Sequence, residues 1–114
     1  MIRRGEVYWI DFRGAVGAEI RKARPSVVVS ANDHNDHMET VTVVPLSSRN
    51  GRVRRYEVAV PAGVLGDGRP SRLKTNQLRA VDKSRIGRKL GLFPAALMPA
   101  LDRSLREHLG IETA

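Results

Sequence analysis

Three residues in this chain have the types and spacing to handle a phosphate. Arg24 precedes Pro25, which runs straight into Val27-Val28-Val29-Ser30. Proline cannot donate to a sheet ladder and pushes the residue before it into an extended shape, so Pro25 belongs at a strand's first position. Arg24 is thereby held at the mouth of a rigid strand, where a side chain meets its ligand with fixed geometry. A guanidinium presents several fixed donors that match phosphate oxygens. Ser47 emerges just past another apolar strand, Thr40 to Leu46, and brings a hydroxyl. Glu19 lies five residues before Arg24 and brings a carboxylate. The plainer readings are a solvated basic loop for Arg24 and a turn-forming serine for Ser47.

The elements that must position these residues are short and mostly β. Glu6 to Phe12 (EVYWIDF) is rich in strand formers and follows Gly5. A flexible loop bracketed by Gly14 and Gly17 then carries Glu19, Arg21 and Lys22. Val27-Val28-Val29 predicts a strand buried on both faces. Asn32 to His37 is a turn-rich polar segment with room for one helical turn; His34 and His37 with Asp33 and Asp36 lack a third ligand at recognisable spacing, so a surface loop rather than a metal site is expected.

Pro45 predicts that the third strand ends at an edge or a bulge. Tyr56 to Val60 alternates cleanly as a fourth strand, expected to pair with the third as a hairpin across the basic loop Ser47 to Arg55. That loop suits either a flap over an anion or plain solvation. Ser71–Thr75 and Gln77–Val81 are short strand candidates around Asn76, and Arg85–Leu90 is another, with Ile86 and Leu90 inward. Leu97, Leu101, Leu105 and Leu109 recur every four residues as a helical core stripe. Pro99 places the main helix start near itself, after a short turn to Met98, and Gly110 is a natural stop. The expected fold is α+β, mostly β: a small antiparallel barrel closed by a C-terminal helix, one domain over residues 1–114.

Composition narrows the function classes. The net charge is +8, and arginine supplies most of the positive charge. Such a field draws polyanions: nucleic acid, an acidic membrane face or an acidic protein. The chain has five aromatic residues, which weighs against a broad stacking platform for single strands. It has no cysteine, so neither a disulfide framework nor a thiolate metal site is available. No apolar run approaches the roughly 18 residues of a membrane-spanning helix. A cytoplasmic protein without membrane contact is expected.

Taken in order, these pieces resemble the MazF/PemK/Kid family of toxin endoribonucleases. The resemblance rests on Arg4-Gly5-Glu6-Val7-Tyr8-Trp9-Ile10-Asp11-Phe12, then Gly17-x-Glu19, then Arg24-Pro25 leading into the valines. Val44-Pro45-Leu46-Ser47-Ser48 and Asn76-Gln77-Leu78-Arg79-Ala80-Val81-Asp82-Lys83-Ser84-Arg85-Ile86 complete it. It implies an SH3-like barrel, a homodimer, no cofactor, and metal-independent, sequence-specific cutting of single-stranded RNA by 2′-hydroxyl attack on the adjacent phosphate.

It also implies catalytic roles for Arg24 and Ser47, with Glu19 as a candidate base. RNA contacts are implied at Arg21, Lys22, Ser48, Arg49, Arg52, Asn76 and Gln77. A serine stands at position 47 where many members have threonine, which keeps the hydroxyl. Gly14 stands where many have proline, a departure that loosens the loop carrying Glu19. The implied protein partner is a MazE-like antitoxin with an acidic, partly disordered C-terminal segment lying along the dimer groove. Two other classes stay open: a CcdB-like toxin that blocks a topoisomerase, and a plain RNA-binding barrel.

Overall fold

The computed structural model describes residues 1–48, 51–64 and 68–112. The described residues form seven strands: β1 (Glu6–Ile10), β2 (Arg24–Val28), β3 (Thr40–Ser48), β4 (Glu57–Val60), β5 (Ser71–Lys74), β6 (Arg79–Asp82) and β7 (Ile86–Leu92). Helix α1 (Asn32–His37) is the helical turn expected of the polar segment, and α2 (Met98–Leu109) closes the chain. Single 3-10 turns at Thr75–Gln77, Lys83–Arg85 and Ala95–Leu97 link the later elements.

The strands follow the order β4-β5-β3-β2-β1-β7, with β6 also paired to β3, and every pairing is antiparallel. This is the mostly-β architecture with a C-terminal helix read from the sequence. It is barrel-like but not strictly closed, since no ladder among the described residues joins β4 to β7.

Strand β3 organises the rest. One edge lies along β2, with Val27 opposite Val44 and Val28 opposite Val43. The other edge changes partner midway: residues Thr40 to Val43 pair with β6, and Leu46 to Ser48 pair with β5. Pro45, which has no N–H to give, falls in the gap between the two partners. It therefore ends neither the strand nor the sheet, contrary to the sequence expectation, and β3 continues through Ser47 and Ser48. The hairpin expected between the third and fourth strands does not form either: β5 lies between β3 and β4.

Alternation along the strands splits the valine runs between two cores. Val7, Val27, Val44, Leu46, Val58, Val60 and Leu73 pack with Phe93 and Leu101 of the C-terminal segment. Ile10, Phe12, Val28, Val41, Val43 and Val81 form the second cluster. Consecutive valines are thus buried because each face of the sheet has its own core. Strand β2 opens at Arg24 rather than at Pro25, and Val29 lies just beyond its end.

Helix α2 contributes Leu101 fully and Leu105 partly to the first core, Leu97 of the preceding turn adds to it, and Leu109 is exposed past it. Pro99 sits in the first turn, where its missing N–H costs nothing. Gly110 ends the helix in the left-handed region at φ 71°, and Ile111 N–H donates back to Arg106 O at 2.9 Å. Arg4 ties the helix to the first strand's approach through a 2.6 Å ion pair with Asp102.

Candidate functional site

Antiparallel pairing brings the start of β2 against the end of β3. Ser26 lies opposite Pro45; carried two residues further, the same register sets Arg24 across from Ser47. Both residues line a pocket of about 190 Å³ at this rim, with Trp9, Pro25, Leu46, Ser48, Arg69, Pro70 and Ser71. Among the described residues, the lining holds two arginines, three serines and no carboxylate. Its character is that of an anion site.

Arg24 is the distinctive member. Its Nε is buried and makes no hydrogen bond in the structure. Nearly all buried donors are satisfied in folded proteins, so an orphan guanidinium nitrogen in a cationic pocket points to an acceptor supplied from outside. Ser47 is half-buried, and its hydroxyl makes only a long 3.4 Å contact to Ser48 O, which leaves it available to a ligand.

Ser47 is braced from the other side. It lies opposite Arg72 on β5, whose guanidinium donates to Glu57 at 3.1 Å and to the Arg52 carbonyl at 2.9 Å. Glu57 is buried and also accepts from Lys74 at 2.7 Å and from the Arg54 N–H at 2.9 Å. Burial alone would push this carboxyl up, but the Lys74, Arg54 and Arg72 donors outweigh it and hold it below the ordinary glutamate value. One carboxylate thus joins β4, β5 and the backbone at residues 52–54, fixing the far end of the basic loop.

The loop between β1 and β2 is pinned at two places. Arg85 donates to the carbonyls of Asp11 and Arg13, at 3.1 and 2.8 Å. The Gln77 amide accepts from Ile20 N–H at 3.1 Å and donates to Ala18 O at 3.2 Å. Gly14 has φ 95°, a value closed to proline, so a proline at this position would require another loop path.

Glu19, carried by this loop, is exposed and does not line the Arg24 pocket; its Oε1 accepts from the Val16 N–H at 2.8 Å. Arg21 donates to Gly17 O at 2.8 Å, and Lys22 is exposed nearby. Asn76 and Arg52 are exposed. Arg49 lies outside the described residues. Of the residues singled out from sequence, then, the structure gathers Arg24, Ser47 and Ser48 in one pocket. Glu19 is not in that group, and Gln77 is occupied as a staple for the loop.

A family model described as PemK-like, MazF-like toxin of type II toxin-antitoxin system matches residues 3–109. The chain belongs to that family. The toxin is 33% identical over 117 residues to endoribonuclease MazF9 of Mycobacterium tuberculosis, covering 97% of this chain and 98% of the relative. It matches MazF from Deinococcus radiodurans with a TM-score of 0.81 at 25% identity, over 96% of each chain. It also matches a mycobacterial endoribonuclease solved with its cognate antitoxin, with a TM-score of 0.81 at 24% identity over 100% of both chains.

Other parts of the toxin are accounted for structurally. His34 Nε2 and His37 Nδ1 are 3.1 and 2.8 Å from the carbonyls of Thr40 and Asp33, and Asp36 pairs with Arg3 at 2.7 Å. No group of three or more metal-ligating side chains occurs among the described residues. No helix among them is long and apolar enough to cross a membrane.

Trp9, Arg69, Pro70 and Ser71 are pocket residues that the sequence reading did not single out. The signal for Trp9 was present: it is a large aromatic inside a strand, and it pairs directly with Pro25. Arg69 to Ser71 reach the pocket because β5 is inserted beside β3, which no local pattern encodes.

Proposed function

We propose that this chain is the toxin of a type II toxin–antitoxin pair and a metal-independent endoribonuclease that cuts single-stranded RNA in the cytoplasm at preferred sequences. The observation that carries this reading is Arg24: a guanidinium with a buried, unpartnered Nε, at a pocket it shares with Ser47 and in which no acid occurs among the described residues. In the reaction, the 2′-oxygen of one nucleotide attacks the adjacent phosphorus and the bond to the 5′-oxygen of the next nucleotide breaks. The 2′-hydroxyl loses its proton to a base and the departing 5′-oxygen gains one, leaving a 2′,3′-cyclic phosphate and a 5′-hydroxyl.

Arg24 offsets the charge that builds on the phosphorane oxygens, and Ser47 donates a further hydrogen bond to them. The nucleophile belongs to the substrate, so positioning and charge stabilisation suffice. Glu19 keeps its second carboxylate oxygen free, but it lies outside the Arg24 pocket and serves as the base only where the substrate reaches its loop. Flexible single strands suit the in-line geometry that a stacked duplex resists.

The chain's net charge of +8 suits both RNA and the proposed protein partner, an antitoxin with an acidic segment that competes for the same cationic surface of a toxin homodimer. Complexes with cognate antitoxins exist among the structurally similar proteins.

The test is incubation of the purified protein with a defined single-stranded RNA in excess chelator, followed by sequencing of the product ends, beside Arg24→Ala. Cleavage at a recurrent sequence, lost about a hundredfold or more in the variant, supports the reading. Intact RNA that remains bound would instead make the chain a plain RNA binder, and an Arg24→Ala protein that cuts like the parent would remove Arg24 from the mechanism.

A further inference from the structure

The strand registers set one row of residues across five strands. Ile10 lies opposite Arg24, Ser47 opposite Arg72, and Arg72 opposite Ala59. Arg24 and Ser47 share the same level, so Arg72 takes the place beside Ser47 on the side away from Arg24. Residues paired in this way point to one face, with Cβ atoms about 5 Å apart.

Arg72 is not among the residues that line the Arg24 pocket, and only 7% of it is exposed. Its guanidinium turns instead to β4 and the loop before it. One nitrogen, Nη1, donates to Glu57 at 3.1 Å and to the Arg52 carbonyl at 2.9 Å. Glu57 completes a clamp on the same backbone. Its carboxylate accepts from the Arg54 N–H at 2.9 Å, and its own N–H donates to the Arg54 carbonyl at 3.0 Å. A single side chain thus begins beside Ser47 and ends on the main chain that carries Arg52 and Arg54, both exposed.

A buried ion pair of this kind contributes little to stability. Replaced as a unit by apolar side chains it is often neutral, whereas loss of one partner is expensive. What the apolar replacement lacks is direction: a guanidinium holds its acceptors at set angles, and here they are a carboxylate and the loop's own backbone.

We propose that Arg72, held by Glu57, is a positioning residue for RNA: it fixes the loop cations Arg52 and Arg54 relative to the Ser47 end of β3, so the strand entering the pocket meets phosphate contacts already in place. This rests on the RNA reading given above and names what presents the loop to the substrate. The gain is entropic, because a loop held in its binding conformation need not be ordered when RNA arrives. The number of phosphate contacts is the same with or without the anchor; only the cost of making them changes.

The test uses the double variant E57L/R72M, which removes the pair as a unit. It loses one charge of each sign, so the net charge stays at +8 and any weakening is not a loss of overall field. An all-deoxy oligonucleotide, which lacks the 2′-hydroxyl and cannot be cut by this route, is titrated into parent and variant at several salt concentrations with anisotropy as the readout. Initial rates on RNA are measured beside it. The variant should melt within a few degrees of the parent, while Kd and KM rise about tenfold and kcat moves less. The slope of log affinity against log salt should not change, and the Arg54 amide should exchange faster. Where the double variant does not fold, Arg72→Met alone, in which Glu57 keeps Lys74 and the Arg54 N–H, carries the same expectation of weaker binding at an unchanged slope.

Weaker binding at an unchanged slope, in a protein that leaves RNA uncut, would uphold the anchor while the nuclease reading fails. RNA cleavage with Kd and KM equal to those of the parent in a folded variant would overturn the anchor and leave the nuclease reading intact. A slope lower by about 0.7 would mean that one phosphate contact had been lost. Arg72 would then touch the substrate itself, which also overturns the positioning role.

Discussion

Replacing Arg24 by methionine should make the protein more stable and nearly inactive. The two effects have one cause. In the folded chain the Arg24 Nε is buried without a partner, and a donor stranded in this way costs about 1–3 kcal/mol. Among the described residues, the pocket around it carries a second arginine and no acid. Methionine keeps an unbranched stem against Pro25 and Leu46 and removes the stranded donor. Allowing for partial exposure of the arginine, a gain near 1 kcal/mol is expected, which raises the melting temperature of a domain this size by about 4–8 °C.

Activity should fall about 100- to 1,000-fold, the usual loss when one preorganised donor to a developing oxyanion is removed. Thermal melts of parent and variant give the first quantity, and initial rates on a defined RNA in chelator give the second. A variant that melts lower by a kilocalorie or more while losing activity would mean that Arg24 holds the fold together, and the reasoning from the orphan nitrogen would be refuted. A variant that is stabilised and still cuts would refute the catalytic half alone.

Glu57→Gln should cost about 3 kcal/mol at neutral pH, because it leaves the buried Arg72 and the Lys74 ammonium without their shared counter-charge. The Glu57 carboxyl titrates below its ordinary value of 4.5 in the folded state. Its contribution is therefore complete above that value and is lost as the pH falls through the lower folded one, so the variant's melting temperature should depend less steeply on pH at the acid end. A melting series from pH 3 to 7 checks both statements. Gln77→Ala removes both staples from the loop that carries Glu19; the Ile20 amide should exchange several-fold faster, and unchanged protection there would deny Gln77 its positioning role. Gly110→Ala forces a Cβ into φ 71° and should cost about 1 kcal/mol in a melt while leaving the cleavage rate untouched.

Much of the fold could be read along the chain because local pattern and burial agree. The valine runs predicted strands covered on both sides, and Val27 with Val28 and Val43 with Val44 divide between two cores as that requires. The leucine stripe, Pro99 and Gly110 marked the last helix nearly to the residue. What could not be read was adjacency. Nothing in Tyr56–Val60 says that its neighbour is a strand yet to come rather than the one just completed, and Pro45 reads as an interruption unless the change of partner on β3 is known.

The site divides in the same way. Local pattern placed Arg24 at a strand mouth and Ser47 near a strand end, but it was the family resemblance that singled them out, and the two line one pocket. Glu19 and Gln77 occupy loops, where a polar side chain chooses between a substrate and nearby backbone; here Glu19 takes the Val16 N–H and Gln77 takes Ala18 and Ile20. Trp9 was legible as a strand aromatic but not as an exposed one, because exposure depends on which elements come to cover β1.

Strand β1 receives its outer neighbour, β7, from residues 86–92, some eighty positions later. On a translating ribosome the first strand is therefore made long before the segment that shields it. Until then its bare edge is free to pair with any passing strand, a hazard for a chain at high concentration.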